Sequence, residues 1–408
     1  MRVLYERCAG LDVHKDCVVA CARVVRGSGV HHEVRTFATT TKGLLGLADW
    51  LSEYECTHVA MESTGVYWKP VWHILESCFE LVLANASHIR NVPGRKTDVN
   101  DAMWIADLLA HGLIRASFVP DTPIQELRDL TRTRKQLTRE ITQHTQRIQK
   151  TLEDANLKIT GLISDVLGVS GRAVLKAIIA GEGDPNRLLA VTQGRLKAAP
   201  ERLLEALDGR IRDHHRFLLN LHLSQVDALQ HAVDTVEARL EEVLQPFRSD
   251  LQLLKGIPGV SDVVASVILA EIGMDMSRFP TAAHLLSWAG LCPRSDQSAG
   301  KHRSTRLKKG APWLKTVLIQ AAWSASRKND SYFRAQFLRL RSRRGSMKAI
   351  VAVAASILTS AYYVLSRQEP FRDLGPLHFD RLEPAKRAQR LVKRLQDLGF
   401  RVDIRPAA

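Results

Sequence analysis

Four carboxylates occupy positions at which predicted strands end or a predicted helix begins. Asp12 lies at the end of the first apolar strand, and Glu62 directly follows a later one. Asp98 and Asp101 stand three residues apart at the start of a helix, so they share one helix face. Hard cations such as Mg²⁺ prefer oxygen ligands, and two ions about 3.5–4 Å apart can hold the attacking and leaving oxygens of a phosphodiester. One interpretation of these positions is therefore a Mg²⁺ site, with Mn²⁺ as a substitute ion.

The same acids also have a purely structural explanation. Asp98 is a good helix N-cap, Asp101 suits the first turn of a helix, and Asp12 could simply occupy a turn. Without a metal, four clustered carboxylates would repel one another. The spacing by itself leaves both interpretations open.

The first 118 residues have the pattern of an α/β domain. Strands are predicted at Ala9–Val13, Cys17–Val25, His32–Thr39, His58–Met61 and Leu81–Ala84, and helices at Lys42–Glu53, Tyr67–Ser77 and Val99–His111. Three consecutive strands followed by alternating helices and strands predict a mixed sheet with helices on its faces. The alternation of polar and apolar residues in His32–Thr39 predicts a half-buried strand.

Residues 119–247 are predicted to be helical. In Pro123–Leu157 the apolar residues recur at intervals of three, four and seven, and Asp213–Leu244 has a similar pattern. These are long amphipathic helices, with a coiled coil as one interpretation, and they would form an antiparallel arm or a dimer contact. The first helix carries a row of basic residues that suits RNA and DNA equally: Arg128, Arg132, Arg134, Lys135, Arg139, Arg147 and Lys150.

A Gly-Ile-Pro-Gly turn opens the region 248–370. It joins two short helical patterns and resembles a helix-hairpin-helix, in which Gly256 and Gly259 would let backbone N–H groups reach a DNA phosphate. An ordinary helix–turn–helix joint is the alternative. The last segment, 371–408, is predicted to hold a basic helix and a short strand within Arg387–Arg405.

Positive charge is concentrated in one part of the chain. The whole chain has a formal net charge of +15, and the segment Arg294–Lys348 holds 15 Lys and Arg against two Asp. A folded segment this basic predicts a polyanionic partner, although a solvated basic face or a flexible tail would show the same composition. The candidate phosphate contacts are Lys96, Lys301, Arg303, Arg306, Lys308 and Lys309.

Two other classes of protein are disfavoured. The six cysteines form no Cys-x-x-Cys pair, so they are interpreted as reduced core or near-core residues of a cytoplasmic protein rather than zinc ligands. The most apolar run, Ala349–Leu365, is shorter than the roughly 20 residues that a membrane span needs. We expect a buried helix there and no membrane partner.

The residues around the four acids, and three later stretches, resemble the DEDD-type transposases of the one-ten family of insertion sequences. This group is described as bridge-RNA-guided recombinases. The matching stretches are Gly10–Lys15, Met61–Trp68, Lys96–Ala102, Leu253–Gly259, Leu286–Pro293 and Gln297–Lys301. Several separate motifs in the same order are a stronger signal than any one of them. One departure is that the family commonly has Gly-Asn where this chain has Gly310-Ala311-Pro312.

The resemblance implies a fold and a chemistry. The fold would be an α/β N-terminal RuvC-like, ribonuclease-H-type domain, a long helical coiled-coil arm, and a mostly α C-terminal transposase domain with a helix-hairpin-helix. The four acids would bind Mg²⁺, and Ser298 would be the nucleophile that forms a serine-phosphodiester intermediate. Residue types alone do not single out this serine, because Ser295 and Ser304 lie in the same loop.

The implied partners are double-stranded DNA at the donor and target ends, a structured bridge RNA, and further copies of the chain. A dimer or tetramer would build composite active sites, and the protein would act in the bacterial cytoplasm near the nucleoid. One alternative is a Mg²⁺-dependent endonuclease of the Holliday-junction type that uses water as its nucleophile. Another is a non-enzymatic nucleic-acid scaffold or repressor whose acids are only helix caps and turn residues.

Overall fold

The computed structural model describes residues 3–27, 29–63, 65–85, 89, 101–193, 198–293, 296–298, 301–304, 306–307, 310–382 and 384–403. The chain divides into two units, Met1–Val119 and Pro120–Ala408. The first unit contains a mixed sheet and a few helices, and the second consists mostly of helices. This agrees with the predicted α/β N-terminal part and helical remainder.

A five-stranded sheet forms the first unit. Its strands are β1 (Arg7–Val13), β2 (Cys17–Arg26), β3 (Gly29–Ala38), β4 (His58–Glu62) and β5 (Glu80–Ala84). The strand order is β3-β2-β1-β4-β5, and β1, β2 and β3 pair antiparallel whereas β1, β4 and β5 pair parallel. The predicted mixed sheet is therefore confirmed.

Helices cover both faces of this sheet. α1 (Thr41–Glu53) and α2 (Trp68–Leu75) pack against one face, which includes Leu11 and Met61. α3 (Asp101–Ala110) packs against the other face, which includes Cys8 and Ala60. Apolar side chains at alternate strand positions thus lie on opposite faces of the sheet, and each face is covered by its own helices.

The exposure of β3 differs from the prediction. Most of its residues are exposed, including Val30 and Val34, at 45% and 41%. The strand lies at the edge of the sheet, where only β2 pairs with it. Near its C-terminal end Phe37 packs against Trp50 of α1, with ring centroids 5.4 Å apart. The alternation of polar and apolar residues correctly identified β3 as a strand. Its exposure, however, depends on which strands of the sheet the helices cover.

The second unit begins with a long helix, α4 (Thr122–Asp154). The short helices α5 (Val169–Ile179), α6 (Pro185–Ala190) and α7 (Pro200–Leu207) lead to a second long one, α8 (Asp213–Val243). α4 and α8 run antiparallel, because Arg134 contacts Glu237 near one end and Asp154 contacts His215 near the other, at 2.6 and 2.9 Å. Of the two predicted arrangements, the structure therefore shows an antiparallel pair within one chain.

The remaining helices include one long apolar helix, Ser346–Arg367. In chain order the elements are α9 (Arg248–Lys255), α10 (Asp262–Ile272), α11 (Ala282–Ala289), β6 (Asp296–Ser298), β7 (Lys301–Ser304), α12 (Pro312–Ala325), α13 (Tyr332–Arg344), α14 (Ser346–Arg367), α15 (His378–Leu382) and α16 (Pro384–Asp397). α14 packs against α11, α12 and α13, as predicted for a buried helix. It is the single described helix long and apolar enough to cross a membrane, and half of its most apolar stretch is buried.

The C-terminal segment departs from the prediction in its bounds. The basic helix α16 begins at Pro384 rather than Arg387. Residues 398–403 form no strand, and 404–408 lie outside the described residues. The exposed leucines of α16, Leu391 and Leu395, place its apolar stripe on the surface.

Candidate active site

Asp12 and Glu62 stand next to each other at the carboxyl ends of two parallel strands. The pairing of β1 with β4 aligns Leu11 with Met61, so the next residue on each strand is one of the two acids. Leu11 and Met61 belong to the core cluster under α1 and α2. Because successive side chains alternate between faces, Asp12 and Glu62 lie on the opposite face, the one covered by α3. Neighbouring strands are about 4.8 Å apart, which brings the two carboxylates to one place.

The N-terminus of α3 lies over the same end of the sheet. The Sγ atom of Cys8 contacts the carbonyl oxygen of Ala106 at 3.6 Å, and Gly10, two residues later, lies against Ala102 as well as Ala106. α3 therefore runs antiparallel to β1, and the next position on this face, Asp12, lies toward the start of the helix. Asp101 is the first residue of α3.

Asp101 also faces the correct side of the helix for a common site. It lies one turn before Ile105, which packs in the same cluster as Ala60 of β4. Ala60 in turn precedes Glu62 by two residues on the same strand face. The fourth predicted acid, Asp98, and the predicted phosphate contact Lys96 lie outside the described residues.

The donor set suits a hard cation in chemistry. The described acids offer only oxygen ligands, which Mg²⁺, Ca²⁺ and Mn²⁺ prefer. His14 adds one nitrogen near them, with its Nε2 atom 3.1 Å from Oδ2 of Asp12. Within the described ranges, no three His, Cys, Asp or Glu side chains form a group close enough to hold a metal ion. Among the described residues, the structure therefore brings Asp12 and Glu62 to neighbouring strand ends and does not join Asp101 to them in a complete ligand set.

The predicted nucleophile ends a strand of a small hairpin. Ser298 is the last residue of β6 and pairs with Lys301 of β7, and a bridge between Pro293 and Leu307 closes the base of the hairpin. The side chains of Ser298, Lys301 and Arg303 are outside the description, as are Lys308 and Lys309 entirely. Arg306 is exposed. Ser298 belongs to the second unit, whereas the acids belong to the first.

The departure at Gly310-Ala311 has a local structural meaning. Gly310 has a φ of +52° and lies so close to the end of α11 that a Cβ atom would be 2.4 Å from the Gly290 nitrogen. Ala311 is the N-cap of α12 and has no side-chain hydrogen bond to the helix. An Asn at this position could accept a hydrogen bond from a backbone N–H of the first turn. The chain therefore keeps the close packing of Gly310 against the end of α11, but it lacks a side-chain N-cap for α12.

Packing accounts for one glycine of the predicted helix-hairpin-helix. Gly259 has a φ of +86°, and a Cβ atom there would lie 2.3 Å from the carbonyl oxygen of Ala321 in α12. Gly256 is exposed. At the start of α10 the Ser261 hydroxyl accepts a hydrogen bond from an N–H of the first turn, and the Asp262 carboxylate pairs with Lys255 at 2.5 Å. A phosphate at this N-terminus would meet that carboxylate, and the N–H of Gly256 already donates to carbonyl oxygens at the end of α9.

Several arginines of the predicted basic arm are used inside the chain. Glu271, 1% exposed, accepts two hydrogen bonds from Arg132 at 2.8 and 2.9 Å. Arg128 donates to the carbonyl oxygens of residues 270 and 271 at the end of α10. Burial lowers the pKa of Arg128 to about 10, so it remains protonated at neutral pH. Arg139 lies over the ring of Trp313 at 5.0 Å.

These contacts correct the interpretation of the arm as a uniform nucleic-acid surface. Arg134 pairs with Glu237 and Arg147 contacts His144, so five of the seven basic residues of the arm have partners within the second unit. Sequence reasoning missed Glu271, although it is the only charged residue within the apolar run Val263–Ile272. A lone charge in such a run indicates a buried partner, because an unpaired buried charge is too costly.

A groove of about 810 Å³ lies between these elements of the second unit. α4 and the end of α8 form one wall, and the α9–α10 hairpin and α12 form the other. Lys135 and Arg248 line it, and neither forms an ion pair with a described residue. Lys135 of the arm and Arg248 of α9 can therefore still meet an anionic partner in this groove.

Two protein-family models match this chain. A DEDD-type model, described as a transposase, matches residues 9–157 and so includes all four acids. A second model, described as the transposase IS116/IS110/IS902 family, matches residues 251–338 and so includes the α9–α10 hairpin and Ser298. Together they match more than half of the chain.

Individual relatives match over different lengths. The protein y4qE of Sinorhizobium fredii, described as a transposase, is 26% identical over 377 residues, which are 88% of this chain and 82% of the relative. The pilin gene-inverting protein of Moraxella bovis is 32% identical over 123 residues, 29% of this chain and 38% of the relative. An insertion element IS110 protein of Streptomyces coelicolor is 33% identical over 111 residues, 26% of this chain and 27% of the relative. The chain thus spans well under half of the length of the last two.

Proposed function

Because this chain belongs to the IS110 family of transposases, the one-ten family that its motifs resemble, we propose that it cleaves and rejoins DNA at the ends of a mobile insertion sequence. The observation that carries the proposal is the placement of Asp12 and Glu62. They are adjacent on parallel strands, under the start of the helix that begins with Asp101. A strand order of β3-β2-β1-β4-β5 with this parallel and antiparallel pattern supports a RuvC-like, ribonuclease-H-type fold for the first unit.

The acids would hold divalent metal. In this proposal Asp12, Glu62, Asp98 and Asp101 ligate Mg²⁺, or Mn²⁺ in its place, through their carboxylate oxygens. Bound there, the metal would stabilise the negative charge that develops on the phosphate oxygens during cleavage. The chain itself contributes a sheet edge, which carries Asp12 and Glu62, and a helix start, which carries Asp101.

Ser298 would attack the DNA. Its Oγ atom, after losing its proton, forms a bond to phosphorus, and the bond from phosphorus to one sugar oxygen breaks. The released sugar oxygen takes up a proton, and the other strand end stays attached to the protein as a phosphoserine diester. A sugar hydroxyl from another DNA end then attacks this diester and releases Ser298. The phosphodiester bond energy is retained, so rejoining needs no ATP.

The acids and the serine belong to different units of the chain. By resemblance to the family, we propose a dimer or tetramer in which one copy supplies the acids and another supplies Ser298. Lys301, Arg303, Arg306, Lys308 and Lys309 would contact phosphates next to the serine, and Lys96, Gly256 and Gly259 are the other proposed contacts. The uneven charge of the chain supports a double-stranded DNA partner.

A covalent protein–DNA adduct tests the serine mechanism. Wild-type protein, incubated with a labelled donor end and Mg²⁺, is expected to form an adduct that survives denaturing electrophoresis. Ser298→Ala should form none, since it lacks the nucleophilic oxygen, whereas Ser304→Ala in the same hairpin should form it as the wild type does. Strand cleavage by Ser298→Ala at the wild-type rate would instead indicate a nuclease that uses water.

A bridge RNA is the further partner that we propose from the family. Lys135 and Arg248 line the groove, and the segment Arg294–Lys348 is strongly basic, although these charges would bind DNA phosphates equally well. Sequencing the RNA that co-purifies with the protein is expected to yield one structured species from the non-coding end of the element. Recovery of no specific RNA would favour direct reading of DNA by the protein.

A further inference from the structure

We propose that Gly10 is a positioning residue for the acid site, because it sets how closely α3 approaches the sheet. This inference rests on the proposed metal-binding role of the acids. It adds a residue that is not itself a ligand and has no side chain to contribute. Its function would be to leave space.

The contact at Gly10 joins two backbones directly. A Cβ atom at this position would lie 2.3 Å from the carbonyl oxygen of Ala102 and 2.4 Å from the nitrogen of Ala106. Both atoms belong to the main chain of α3, so no side-chain rotation can remove the overlap. The helix presents small residues here, since Ala102 and Ala106 are each fully buried against the sheet. Any larger residue at position 10 must therefore move the helix or the strand.

Moving the helix would change the spacing of the acids. Gly10 precedes Asp12 by two residues on the same face of β1, and Ala102 directly follows Asp101. Restoring ordinary contact distances around a new Cβ atom requires a displacement of about 1 Å, and displacements of that size can cost a catalytic site about 100-fold in rate. The same displacement would separate Asp101 from Asp12 and Glu62.

A wider spacing affects small and large ions differently. Mg²⁺ requires near-ideal octahedral geometry with ligands at about 2.0–2.1 Å, whereas Ca²⁺ accepts ligands at about 2.3–2.6 Å in flexible arrangements. If Gly10 acts through the spacing, its replacement should weaken Mg²⁺ binding more than Ca²⁺ binding. A merely structural role would lower stability without changing the ratio of the two affinities.

The test uses the full chain and the metals alone. Mn²⁺ binding is followed by electron paramagnetic resonance, and Mg²⁺ and Ca²⁺ are titrated as competitors. Gly10→Ala is expected to lower the Mg²⁺ affinity relative to the Ca²⁺ affinity by about 10-fold or more, by analogy with the loss of groups that orient metal ligands. Gly46→Ala is the matched control in the same unit, because nothing lies within 4 Å of a Cβ atom there. It should leave the ratio unchanged.

A second variant keeps the test decisive if Gly10→Ala does not fold. Ala102→Ser adds one oxygen atom to the same interface from the helix side and should shift the ratio in the same direction, by less. A wild-type ratio in both folded variants would overturn the role of Gly10. If Asp12→Asn bound Mn²⁺ as the wild type does, the acid site itself would fail, so the two failures are distinguishable.

Discussion

Replacing Asp12 with Asn is expected to reduce Mg²⁺-dependent strand cleavage by at least about 100-fold, while DNA affinity stays within a few-fold of wild type. Even groups that only orient metal ligands cost about 10–100-fold when removed, and Asp12 is proposed to be a ligand itself. Asparagine has the same shape, so β1 should keep its pairing with β2 and β4. Cleavage of a labelled end and binding by fluorescence anisotropy give the two quantities.

The control is an acid of the loop that follows β1. Asp16 is exposed and lies four residues after Asp12, and Asp16→Asn should cleave normally. Glu62→Gln should behave as Asp12→Asn does. If Asp12→Asn and Glu62→Gln both kept full cleavage, the acids would be caps and turn residues, and the scaffold interpretation would gain support.

The largest effect on stability is expected for Glu271→Gln. The substitution removes the negative charge that faces Arg132 and Arg128 in a buried position, and breaking one partner of a buried pair costs about 3–5 kcal/mol. We expect a loss near the lower end, about 3 kcal/mol in the free energy of unfolding, because the Arg132 side chain is 34% exposed and keeps some hydration. Denaturant unfolding followed by circular dichroism measures it.

The α4–α8 pair provides a matched comparison for this ion pair. Glu237 of α8 contacts Arg134, which lies on α4 as Arg132 does. The side chain of Glu237, however, is 47% exposed. Glu237→Gln is therefore expected to cost less than about 1 kcal/mol. Combining Glu271→Leu with Arg132→Met should recover only part of the stability, since Glu271 also offsets the buried charge of Arg128, which the double variant keeps. Equal losses for Glu271→Gln and Glu237→Gln would show that burial of the pair is unimportant.

The sequence predicted most elements of both units. The periods of apolar residues identified the strands of the mixed sheet, the two long helices and the buried helix α14, because these periods reflect which side of each element is covered. The positions of Asp12 and Glu62 at strand ends followed in the same way. Family motifs, rather than spacing, then selected these acids and Ser298 from several candidates.

Other features depended on contacts between distant parts of the chain. The exposure of β3 follows from its place at the edge of the sheet. Position 259 requires glycine because α12 lies directly beside the turn.

The arginines of α4 give the clearest example. Their pattern predicted a basic arm, but Arg132 is committed to Glu271, which lies 139 residues away in the chain. A local pattern of charges shows only which residues could bind a nucleic acid. It does not show which of them form ion pairs, because pairing needs two groups within about 4 Å of each other. The sequence alone determined the elements, the strand-end acids and the family. Tertiary packing decided which charges remain for a nucleic acid and how near α3 lies to Asp12.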